Sequence, residues 1–174
     1  MKNMNDVQRG PAGPRTLNSF LLAQIGAHAA AGFAKRIADL DLTPAQAGLL
    51  RLVATQPGQS QQELARQLRT PPSRLVLLVD HLEERGLIER RRNPDDRRHH
   101  ALYLTAEGGQ FLGTRLGPAA AAHEDDICAG LTAAEREQLR GLLHRIAEQQ
   151  GLILGVHPGC QQGSGPPLVN ATLR

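Results

Sequence analysis

A chain of 174 residues with 40% apolar and 21% charged side chains can build a real hydrophobic core and is too apolar to be a disordered polyelectrolyte. Aromatics make up only 2%, with no Trp, so the core must be aliphatic, which suits helices, and single-strand recognition by base stacking is disfavoured. A net charge of +3 favours an anionic partner, and Cys128 and Cys160 lack metal-ligand spacing, which excludes a zinc ribbon or disulfide framework and fits a reducing cytoplasm with no cofactor.

Residues 1–15 carry no periodicity and read as a mobile N-terminal arm. From about Thr16 to Leu40, Leu17, Leu21, Ile25, Phe33 and Ile37 are spaced for one helical face, and an alanine-rich centre permits close helix–helix approach. Asn18, Gln24 and His28 interrupt this stretch, which argues against a signal peptide or a membrane span. Thr43-Pro44-Ala45-Gln46 opens a second helix with Ala45, Gly48, Leu49, Leu52 and Val53 inward, stopping before Pro57-Gly58. Ser60-Gln61-Gln62-Glu63 caps a short third helix with Leu64, Ala65 and Leu68 inward. After Thr70-Pro71 a fourth carries Leu75, Leu78, Val79 and Leu82, and Gly86 ends it.

Leu87–Arg92 and Ala101–Leu104 read as two short strands around the turn Asn93-Pro94-Asp95-Asp96. Between Arg85 and His100 stand six arginines against three acids, so this window holds a net charge equal to that of the whole chain. Such clustering is an electrostatic footprint for a polyanion. Thr105 caps a further helix, about Ala106 to Ala122, with a kink expected at Pro118. Leu131-Thr132-Ala133-Ala134-Glu135 opens a last helix with Leu139, Leu142, Leu143 and Ile146 inward, and a Gly/Pro-rich tail covers 155–174.

The order of helix, short helix, second helix and basic hairpin is that of a winged helix-turn-helix. The second helix of such a pair fits the DNA major groove, and the hairpin can set guanidinium groups on phosphates or in the minor groove. The expected fold is mainly α with a small β-hairpin wing, joined to a helical dimerisation region.

The span from about Leu17 to Gln150 resembles the MarR family of winged-helix transcriptional regulators. The resemblance rests on LTPAQAGLLRLV, QQELARQL, VDHLEERGLIERRR and, most specifically, NPDDRRHHALYLT, where Asp96, Arg98 and Thr105 fit the family's wing pattern. It implies a MarR-type domain over 16–150, with the winged helix-turn-helix at about 42–105 and dimerisation helices at about 16–40 and 106–150. It also implies a homodimer on a pseudo-palindromic operator of double-stranded DNA, under small-molecule or redox control.

Candidate DNA contacts are Ser60, Gln61, Thr70, Ser73, Arg74, Val76, Leu77 and His81 on the helical pair, and Arg90, Arg91, Arg97 and Arg98 in the wing, with Asp96 orienting Arg98. Arg74 suits a guanine and His81 a base or phosphate, whereas Val76 and Leu77 offer only apolar contacts such as to thymine methyls. Relatives often carry Thr and Arg on that face, so direct readout is expected to be thin. Arg90 and Arg91 are expected on phosphates. His99 and His100 point to opposite faces of a strand and cannot easily share a metal ion.

The resemblance places His28 and His123 on helices that build the family's ligand cleft, where a small aromatic or weakly acidic effector would bind; satisfied interface histidines are the competing reading. Cys128 would be the sensor of a thiol-redox regulator, but Glu124, Asp125 and Asp126 beside it should raise its pKa. A winged helix that binds a protein through Val76 and Leu77 is a further alternative, opposed by the arginine wing. No Gly-rich phosphate loop or catalytic carboxylate frame suggests an enzyme.

Overall fold

The computed structural model of the chain describes residues 17–92 and 100–152. The N-terminal arm at 1–15, the wing tip with Asp96, Arg97 and Arg98, and the tail at 155–174 lie outside the described residues. The elements run α1 (Asn18–Ala38), α2 (Pro44–Thr55), α3 (Gln61–Gln67), α4 (Pro72–Glu84), β1 (Ile88–Arg92), β2 (His100–Leu104), α5 (Ala106–Phe111), a π-helical turn (Leu112–Leu116), α6 (Gly117–Ile127) and α7 (Ala133–Gln149). The architecture is mainly helical with a two-stranded wing, as the sequence implies.

Local chemistry sets most of the boundaries. Thr43 and Gln46 form a reciprocal capping box at α2, Thr132 and Glu135 form another at α7, and Ser60 and Thr105 each accept an N–H from three residues on. Arg69 turns the corner between α3 and α4 at φ 48°, and Gly86 ends the turn after α4 at φ 67°. The strands pair antiparallel, Ile88 opposite Leu104 and Arg92 opposite His100. The loop before α3 adds to the far edge of β2: Gly58 N–H donates to the Leu102 carbonyl and Leu102 N–H to that of Gln59, both at 2.9 Å. The wing is thus stitched to the start of α3.

The core is aliphatic, as composition requires. Ile37, Leu49, Leu50, Leu64, Leu68, Leu75, Val79, Leu82 and Leu102 are each 0% exposed. Ala47 and Leu50 are buried as well, so α2 packs on more than the one face its sequence spacing suggests. Gly108 lets α5 approach β1 closely, since a Cβ there would lie 1.9 Å from the Leu87 carbonyl oxygen.

Two expectations change. The helix after the wing runs on to Ile127, and its irregularity is the π turn at Leu112–Leu116, just before Pro118. Proline has no N–H and its ring crowds the carbonyl four residues back, and a widened turn is one way to absorb both defects. Leu139, Leu142, Leu143 and Ile146 do share a face of α7, but it is not turned into this chain's core: they are 37–46% exposed, and α7 buries no residue. Leu17, Phe20, Leu21, Leu22 and Ile25 on and beside α1 are similarly exposed.

Candidate nucleic-acid interface

Helix α4 is set by its inner face. Leu75, Val79 and Leu82 are fully buried, and Leu77 follows Leu75 by about 200° around a helix of 3.6 residues per turn, which aims it away from the core. Leu77 is 69% exposed, Val76 39%, and Ser73 one turn earlier is exposed too. Arg74 is partly buried on the flank.

One expected contact is withdrawn from the surface and a second is partly enclosed. Thr70 is 6% exposed and its N–H is held by the Ala65 carbonyl at 3.0 Å, because the α3–α4 corner folds over it. His81 is half-buried with its Nε2 enclosed, so that nitrogen faces protein rather than solvent. Ser60 and Gln61 remain partly accessible, but both have structural partners. Ser60 caps α3, and the Gln61 side-chain amide lies against the Arg90 guanidinium, where its oxygen, turned toward Arg90, accepts from Nε and Nη2 at 3.1 Å.

Arg90 departs most from its expected role. Its guanidinium pairs with Asp80 and Glu83, and its backbone N–H donates to Glu83 at 3.2 Å. With 22% of the side chain exposed, Arg90 clamps β1 to α3 and α4 instead of reaching outward. Asp80 and Glu83 stand three apart on α4, and that pair upstream of a strand arginine is the signal sequence reading could have used.

Arg91 takes the outward role. It is 57% exposed, lies 4.8 Å over the Tyr103 ring and pairs with Glu89 at 2.5 Å. The Glu89 carboxylate, mainly through this hydrogen bond, pushes Arg91 further above its ordinary value, so it stays charged at any working pH. Arg92, absent from the expected contact set, is exposed beside it.

The sequence pattern of the MarR family matches residues 42–100, the span that holds α2, α3, α4 and β1. A putative transcriptional regulatory protein for the hcr operon of Thauera aromatica is 40% identical over 118 residues, covering 67% of this chain and 70% of that one. The chain belongs to the MarR family. It is a winged helix-turn-helix transcriptional regulator. Among solved structures, the transcriptional repressor CouR bound to a 23-mer DNA duplex is 35% identical with a TM-score of 0.66, over 75% of this chain and 92% of that one. A MarR family protein of Mycobacterium tuberculosis in complex with salicylic acid is 26% identical with a TM-score of 0.61, over 76% and 97%.

The two histidines expected at a ligand cleft do different things in this MarR-family chain. His28 is exposed and, with Gln24, Ile25, Asp126 and Ile127, lines an open depression of about 340 Å³ between α1 and α6. Asp126 is paired there with Arg36, which offsets its charge. His123 packs its ring 5.6 Å from Phe33 and against Gly32, an interhelical packing role. Cys128 is buried, its thiol 3.7 Å from Glu124; burial first and that carboxylate second push the thiol up, away from reactive thiolate. No group of residues that could hold a metal ion occurs among the described residues, and none of their helices is long and apolar enough to cross a membrane.

One joint escaped sequence reading. Arg85 at the end of α4 donates to the Asp41 and Leu40 carbonyls at 2.6 and 3.0 Å and stacks over Phe111 at 5.4 Å. It ties α4 to the end of α1 and to α5.

Proposed function

We propose that this regulator is a cytoplasmic homodimer that represses transcription by binding a pseudo-palindromic operator. In this reading each protomer lays α4 in a major groove, and the exposed wing arginines meet phosphates on either side. The observation that carries it is the outer surface of α4, open at Ser73 and Leu77, together with the exposed Arg91 and Arg92 on β1, the strand packed against that helix. The DNA-bound state of CouR supports it. In the sequence, Arg97 and Arg98 add to the same run of arginines, and the family's wing pattern assigns Asp96 to orienting Arg98. The exposed apolar rows of α1 and α7 support a dimer built from those helices.

Two copies of α4 must sit about 34 Å apart to meet successive major grooves, so a small change in their spacing releases DNA. A small aromatic or weakly acidic effector beside His28 would bias that spacing, a reading supported by the depression there and by the salicylate complex of the mycobacterial relative. By linkage, DNA must weaken that effector as much as the effector weakens DNA.

Selection of bound duplexes from a random pool, followed by mobility shifts across a salt series, tests the core of this reading. The expected result is a palindromic site whose affinity falls with salt by about 0.9 log units per log unit for each phosphate neutralised. Binding without a palindrome, or affinity indifferent to salt, would overturn it.

A further inference from the structure

Apart from Arg74, which is partly buried on the flank, the outward row of α4 contains little that can tell one base from another through hydrogen bonds. Ser73 can donate or accept, and so serves any base. Asp80, one turn beyond Leu77, is held by Arg90. His81 has its Nε2 enclosed. At the centre of the row stands Leu77, 69% exposed and pointing directly away from the buried Leu75, while its neighbour Val76 lies toward the flank at 39%.

One exposed leucine is ordinary on a protein surface; what marks Leu77 is its place at the centre of the row that the operator-binding reading lays in a major groove. Arg91 and Arg92 are exposed on β1, the strand packed against α4, and favour an anionic partner. In a duplex, one group in the major groove is apolar: the 5-methyl of thymine. Resting on the operator-binding reading above, we infer that Leu77 is a specificity-determining residue that recognises the 5-methyl group of a thymine in each half-site.

Uracil isolates the claim, because it lacks that methyl and keeps every hydrogen-bonding edge. The test replaces each thymine of the selected duplex by uracil in turn and measures affinity for the wild-type protein and for Leu77→Ala. Wild-type binding should drop roughly fourfold at one thymine per half-site, the loss expected for one buried methyl. Leu77→Ala should bind the thymine duplex more weakly by at least that factor and be indifferent to uracil at that position. Leu77→Met, which keeps an apolar tip, and Val76→Ala, which leaves Leu77 in place, should both retain the uracil penalty. Wild-type protein indifferent to uracil everywhere overturns the inference while leaving operator binding intact. An equal uracil penalty in Leu77→Ala also overturns it, by assigning the methyl to another residue. If no duplex is bound at all, the operator reading and this inference fall together.

Discussion

The lobe from α2 to β2 and the flanking helix α7 carry similar apolar periodicities, yet they end in opposite states. In the lobe, Leu49, Leu64, Leu75 and Leu82 are 0% exposed, each covered by a neighbour from the same chain. On α7, Leu142 and Ile146 are each 46% exposed. The same 3.6-residue spacing therefore yields a closed core in one place and an open seam in the other. Periodicity says which residues share a face; it does not say which chain supplies the surface that covers it.

The sharpest way to break this contrast is to damage each region once. Leu75→Ala removes a fully buried side chain and should cost about 2–5 kcal/mol, with little dependence on protein concentration. Leu142→Glu should leave the lobe's own core intact and convert the dimer to monomer in light scattering, with a melting temperature that no longer rises with concentration. If Leu142→Glu stays dimeric with unchanged melting, the seam lies elsewhere.

A smaller effect separates two adjacent arginines. Arg90→Ala strips the partner from Asp80 and Glu83 and should lower stability by about 1–2 kcal/mol, since the cluster is only partly exposed. It should leave the salt slope of DNA binding unchanged. Arg91→Ala or Arg92→Ala should do the reverse, lowering that slope by about one unit with melting almost unmoved. Salt-dependence and denaturation series on the three variants check this; a slope change for Arg90→Ala as large as that for Arg91→Ala would return Arg90 to the phosphate contacts.

The smallest effect concerns the start of α7. The Thr132 backbone N–H, then its hydroxyl, hold the Glu135 carboxyl below its ordinary value. A depressed folded pKa contributes stability that is fully present above the unfolded value, near 4.5, and is lost as pH falls through the folded one. Wild-type stability should therefore lose a small component as pH falls below about 4.5, and Glu135→Gln, with no carboxyl to protonate, should lack that acid-dependent loss. If wild type and variant show identical acid profiles, the capping box does not act through the charge.

Much was legible in the sequence because it depends on near neighbours. Thr43, Ser60, Thr105 and Thr132 announce their helices through groups three residues away, and both strands of the wing follow from alternation around a Pro-Asp turn. Arg90 was not legible in the same way. Arginines 90, 91 and 92 look equivalent in a run, and their fates depend on carboxylates that α4 brings from 7 and 10 residues upstream. Thr70 likewise reads as surface at a helix start until the α3–α4 corner closes over it, and His81 reads as exposed although its Nε2 is enclosed.

The sequence by itself determined the helical fold class, the helix starts, the basic wing and the aliphatic core, because capping, periodicity and charge density act over a turn or two of chain. Only the tertiary structure decided which of the wing's charges are held in internal ion pairs, and how far Thr70, His81 and Leu77 are each covered. Those outcomes depend on contacts between elements distant in sequence, where a guanidinium or a leucine finds a partner or is left facing outward according to how the helices cross.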